Sequence, residues 1–192
     1  MGRSTVQQLI QRAKNLNEYN NSGVASDAVW LDHFNSALIE MVDDLNLQET
    51  VTISFTPSQR IYTLPDDYYN LLLLIDPKQQ NQSIAQRRNY QQSYPNGYWI
   101  LDKGDHFEID IIYNSACDMT VFYTRYPALL EYANISTQKP EVPTAGETAL
   151  CYKAISNALK NNNQLGQAQY YDGLYKEQRA TVKLAVLKAK GV

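Results

Sequence analysis

The densest group of side chains able to do chemistry is Asp102, Asp105, Glu108 and Asp110, with spacings of three, three and two residues. A calcium loop needs oxygen ligands at alternating positions around a central glycine, with a distal glutamate. This spacing, spread across a hairpin turn, does not supply that. Glu108 and Asp110 fall on one face of the expected strand, read as its solvent side. The two histidines, His33 and His106, have neither a cysteine nor a second histidine at ligand spacing, so a zinc site is not expected. Both read as polar surface. No serine sits in a Gly-x-Ser-x-Gly elbow, no phosphate-binding loop or dinucleotide fingerprint occurs, and the 8 glycines are scattered. Asp66 and Asp67, after Pro65, read as turn formers. Cys117 and Cys151 are too few for a disulfide framework and read as small core hydrophobes. The expectation is a protein that is not an enzyme and carries no metal and no cofactor.

What remains is a surface suited to contact. Tyr170, Tyr171 and Tyr175 lie on neighbouring faces of a long terminal helical segment, followed by Lys176, Arg179, Lys183, Lys188 and Lys190. Such a helix, extending past a small sheet, would leave aromatic surface uncovered in a monomer, and these eight residues are the candidate partner-binding set. Composition agrees. The chain has 15 Tyr against 4 Phe, and 16 Asn with 16 Gln stand where charge is scarce, at 19%. A tyrosine offers an apolar ring and a polar tip, which suits a surface half buried in a partner. The net charge of -3 argues against a protein that neutralises many phosphates.

The elements that must position these residues follow from periodicity. Ser4 and Gln7 have capping-box spacing, and Val6, Leu9, Ile10, Ala13 and Leu16 repeat at helical intervals. The polar stretch from Asn17 to Gly23 ends that helix. Ser26 is a good N-cap for a second, striped by Trp30, Phe34, Leu38, Met41 and Leu45. Asp43 and Asp44 sit near its end, where negative charge is unfavourable. Val51, Ile53 and Phe55 then alternate with polar residues as a half-buried strand does, and 56–59 reads as a turn from which 60–64 returns. Residues 68–76 are an apolar strand or a helical turn leading into one. The amide-rich stretch 78–96 reads as loop or exposed helix. Three strands, near 98–101, 107–112 and 119–124, read as an antiparallel meander. Thr144 and Glu147 form a second capping-box pair before a helix packed through Leu150, Cys151, Ala154, Ile155, Ala158 and Leu159. Asn161 to Asn163 end it, and the last helix runs from about 166 to 190. Helices, then sheet, then helices give an α+β class: a bundle of N- and C-terminal helices with a small antiparallel β-sheet inserted between them. The expected divisions are 1–48, 49–127 and 128–192, the last including a docking arm. The longest apolar run, Leu71 to Ile75, is too short to cross a bilayer, and no apolar signal core follows Met1, so an intracellular protein without membrane contact is expected.

The order of four features resembles the head–tail adaptor proteins of tailed phages, the tail tubular protein A and tail accessory factor types. N-terminal helices precede Tyr-Thr-Leu-Pro-Asp-Asp-Tyr-Tyr at 62–69. A hairpin spans Tyr98 to Ile112. A strand from Val121 ends in Tyr126-Pro127. Pro140-Glu141-Val142-Pro143 leads into two helices, the second with Tyr171 and Tyr175. The Gln-rich segment 78–92 departs from the family pattern. The resemblance implies a virion protein at the head–tail junction, made in the host cytoplasm. It implies a homo-oligomeric ring, commonly of twelve copies, with portal above, tail or nozzle protein below, and DNA passing through the lumen without sequence-specific binding. Its C-terminal segment would reach the portal. A module of another class, using the Tyr-rich sheet to recognise carbohydrate or a bacterial surface, is the alternative, and a hydrolase the third. The long terminal helix favours the adaptor.

Overall fold

A computed structural model describes residues 2–17, 26–76, 82–86, 97–113 and 115–189. The chain folds as two compact units, Met1–Asn46 with Pro127–Val192, and Leu47–Tyr126.

The first unit is helical: α1 (Val6–Leu16), α2 (Asp27–Glu40), α3 (Val42–Leu45), α4 (Glu147–Asn161) and α5 (Leu165–Ala189). The capping box of α1 forms one residue later than its spacing suggested. Thr5, not Ser4, accepts from the Gln8 amide, and the Gln8 side chain accepts from the Thr5 amide. Ser4 is drawn elsewhere: its N–H and hydroxyl both donate to the Glu147 carboxylate, each at 2.7 Å. The same contact explains why the expected Thr144–Glu147 box is absent. Thr144–Gly146 forms a 3-10 turn, and α4 starts after Gly146 with no side-chain cap, because Glu147 is buried and bound to Ser4. Ser26 caps α2 as expected, by accepting from the Val29 amide. Trp30, Phe34, Leu38, Met41 and Leu45 are all buried, although the stripe crosses a break at Met41. α4 is enclosed on almost all sides, including the six residues of its expected packing face. In α1 the stripe buries Val6, Leu9, Ile10 and Ala13 but leaves Leu16 exposed.

The second unit holds two four-stranded sheets rather than one. β1 (Gln48–Phe55), β2 (Ile61–Thr63), β3 (Tyr68–Asp76), β4 (Gln82–Ser83), β5 (Ala85–Gln86), β6 (Gly97–Asp102), β7 (Phe107–Ile112) and β8 (Cys117–Arg125) pair in the orders β1-β8-β3-β4 and β2-β7-β6-β5. All pairs are antiparallel except β5 with β6. Two expectations fail here. β1 and β2 do not form a hairpin, and β8 leaves the β6–β7 hairpin for the other sheet. One core explains both. Phe55, Met119 and Val121 from the first sheet and Tyr62, Ile109 and Ile111 from the second are buried together. The Phe55 and Tyr62 rings meet edge to face at 4.4 Å. The turn between them switches layers so that both strands bury their apolar face, which a flat hairpin would not achieve. Tyr62 locks the switch, its hydroxyl accepting from the Thr56 amide at 2.8 Å. Residues 68–76 are strand throughout. Of the amide-rich stretch 78–96, only 82–86 is among the described residues; the polar stretch after Asn17 also lies outside them.

Candidate docking surfaces

The carboxylate cluster is dispersed into structural roles. Asp102 accepts from the Gly104 amide at 2.8 Å, in a turn where Gly104 has φ +91°. Asp105 and Glu108 flank the His106 ring, and Lys103 pairs with Glu108 at 3.2 Å. Asp110 does not face solvent. It is buried and accepts two hydrogen bonds from Arg60, at 3.1 and 2.9 Å, because a carboxylate beside the core is stable only when paired. Glu108 is half buried. His33 also departs from the surface reading: it is buried, its ring meeting Trp30 edge to face at 6.0 Å. Among the described residues no cluster of His, Cys, Asp or Glu could hold a metal ion. Cys117 and Cys151 are buried and form no disulfide, and burial pushes the Cys151 thiol up to about 12.

The eight candidate contact residues take different places on α5. Tyr175 is buried, and its hydroxyl donates to Asp44 at 2.8 Å. Arg179 donates twice to the same carboxylate, and Lys183 approaches it at 3.3 Å. Asp44 is itself buried. Burial acts to raise its pKa, but the hydrogen bonds from Arg179 and Tyr175 and the Arg179 charge together hold it below the usual carboxylate value. Desolvation first, and then Asp44, push the Tyr175 hydroxyl upward. Three of the eight are therefore joined through Asp44, which is not among the candidate contact residues. Its signal was present: Asp44 lies three residues after Met41, on the apolar stripe, where a carboxylate needs a cation from another element.

Tyr170 and Tyr171 lie about one turn before Tyr175, in the first half of α5. Tyr170 is 63% exposed, and its ring meets Tyr171 edge to face at 5.4 Å. The Tyr171 hydroxyl donates to the Leu16 carbonyl at 2.7 Å, satisfying one open acceptor at the end of α1. With Tyr152, Leu16 and Leu174 these rings line a cleft of about 440 Å³. Lys176 and Lys188 are exposed, and Lys190 lies outside the described residues. After Val182, the last buried residue of α5, Leu184 and Leu187 are 57% and 42% exposed. No helix among the described residues is long and apolar enough to cross a membrane.

The model of the SU10 adaptor proteins matches residues 4–189. The chain belongs to the SU10 adaptor protein family. It is thereby a phage head–tail adaptor, of a structural and not an enzyme family, with links to head and tail proteins. No curated protein matches the chain. In this SU10-family adaptor the helical unit leaves apolar side chains exposed in the cleft beside Tyr170 and along the last turns of α5.

Proposed function

We propose that this adaptor is one subunit of a closed ring of twelve copies, seated below the portal and above a tail or nozzle protein, with DNA passing through the lumen. The observation that carries this reading is the far end of α5. A helix of 25 residues spans about 38 Å, and its final turns carry Leu184, Leu187 and Lys188 uncovered. Exposed leucines beside a lysine at a helix end form a compact amphipathic tip that a larger ring can cover. Contacts too weak to hold one copy become tight when repeated around a closed ring. The net charge of -3 supports a lumen along which DNA moves without releasing counterions to the wall. Copy number and the portal as partner come from the resemblance to head–tail adaptors.

Deleting the whole of α5 would strip Ala168, Tyr175 and Val182 from the core, so the test uses Leu184→Glu with Leu187→Glu. The double variant folds with unchanged stability, and native mass spectrometry of adaptor mixed with portal shows loss of a twelve-subunit assembly that the unsubstituted chain forms. If the double variant assembles on the portal as the unsubstituted chain does, the portal assignment of this tip is wrong.

A further inference from the structure

β1 lies at the end of its sheet, and its outer edge carries no strand among the described residues. The direction of its backbone groups follows from the register. Arg125 donates to the Leu47 carbonyl at 2.9 Å, and Leu47 stands directly opposite Arg125 in the continued register. Hydrogen-bonded and open pairs alternate in an antiparallel ladder, so Glu49, Val51, Ile53 and Phe55 bond to β8. The N–H and C=O groups of Thr50, Thr52 and Ser54 point the other way. The Thr50 N–H has a substitute, a long 3.4 Å contact to the Glu49 carboxylate.

Edges of this kind are normally shortened, bulged or charged. This one is eight residues long, runs in unbroken register against β8, and has a single charge, Glu49. Its core-facing residues Val51 and Ile53 pack on the core yet stay only half buried, at an edge with no strand beyond it among the described residues. On the opposite face a pocket of about 240 Å³ opens beside Thr50, floored by Leu72 and Phe122. Water solvates such a row in the isolated chain, and the protein partner that matches its spacing is another extended backbone.

Among the described residues a second copy offers no matching strand edge. The other sheet edges among the described residues, β4, β2 and β5, span two, three and two residues. If β1 paired antiparallel with another β1, parity would place only outward-bonding residues opposite Thr50. Those are Gln48, Thr50, Thr52 and Ser54, none of them apolar enough to fill a pocket floored by leucine and phenylalanine. We infer that the free edge of β1 is a strand-addition site for an extended segment of a different protein, apolar on the face beside Val51 and Ile53 and carrying one bulky apolar residue beside Thr50. Resting on the adaptor reading, that protein is a head or tail component of the virion.

Thr52→Pro tests this in the full chain. Proline removes the outward Thr52 N–H and blocks the edge, while every bond to β8 remains. Thr52→Lys is the companion variant, placing a charge on the edge without altering the backbone. Hydrogen exchange compares Thr52 and Ser54 amides in the isolated chain and in purified virions. These amides exchange freely in the isolated chain and slow by at least about tenfold in the virion, and both variants lose incorporation into particles while keeping the unsubstituted chain's thermal stability. Amides that stay unprotected in the virion, or variants that incorporate normally, overturn the inference and leave the adaptor reading standing. A concentration-dependent dimer of the isolated chain that protects the same amides overturns the choice of a foreign strand. Absence of the unsubstituted chain from particles is a separate result, and it defeats the adaptor reading itself.

Discussion

Asp44 and Arg179, 135 positions apart, form a two-point ion pair, with guanidinium Nε 2.7 Å from one carboxylate oxygen and Nη2 2.8 Å from the other. The Tyr175 hydroxyl joins the first oxygen at 2.8 Å. The pair ties α3, before the β unit, to α5, after it. Asp44→Ala strands the Tyr175 hydroxyl in the core, while Arg179 can regain water through its exposed part. The expected loss is about 2–3 kcal/mol, and Tyr175→Phe alone loses about 1 kcal/mol; urea titration measures both. The carboxylate pKa is lowered by folding, so its contribution is complete above the ordinary value of 3.8 and is lost as pH falls through the depressed one. The stability gap between the unsubstituted chain and Asp44→Asn should therefore be flat from neutral pH to about pH 5 and close on further acidification.

Gly146 is glycine for lack of room. Its backbone is ordinary, but an added Cβ would lie 2.8 Å from Val142 Cγ1 and 3.4 Å from Val182 Cγ2. Both valines are buried and have no free direction in which to yield. Gly146→Ala should cost about 1–3 kcal/mol. Adding Val142→Ala, which removes the nearest atom, should return part of that loss, so a denaturation cycle over the four proteins should show favourable coupling.

The two histidines should titrate on opposite sides of the ordinary imidazole value of 6.5. Burial lowers His33 more than Asp32 raises it. His106 is raised by hydrogen bonds to Asp105 and Glu108, with burial opposing and their charges assisting. The stabilising contact of His106 is thus present below its unfolded pKa and fades as pH rises through the higher folded one. Proton NMR of the two imidazoles resolves the order, and a reversed order would contradict the placement of His33 beneath Trp30.

Neither cysteine should react in the folded protein. Cys151 is fully buried with its thiol pushed up to about 12, and Cys117 is buried in the β unit. A thiol reagent should label none at neutral pH in buffer and both in denaturant, since the reactive species is the thiolate. Rapid labelling in buffer would show that one of the units opens locally.

Much of the frame was legible because it depends on local order. The stripe from Trp30 to Leu45, the alternation of Val51, Ile53 and Phe55, the Ser26 cap and the asparagines ending α4 each rest on neighbours within a turn or a strand. The errors share a cause. Ser4 and Glu147 each sat at capping-box spacing with a nearby partner, but each instead bonded the other across 143 positions. β1 and β2 alternated as a hairpin would, but alternation states which face is buried and not which strand lies alongside.

The sequence alone determined the α+β class, the faces that enter the core, and the absence of familiar catalytic motifs, because periodicity, capping and motif spacing are short-range properties. Tertiary structure decided that Asp44 and Asp110 are buried beside arginines, that β8 crosses to the first sheet, and that β1 ends its sheet with no strand beyond it among the described residues. Those outcomes depend on which distant segments meet in a shared core, where burying one charge or one strand edge sets the requirement that another part of the chain must satisfy.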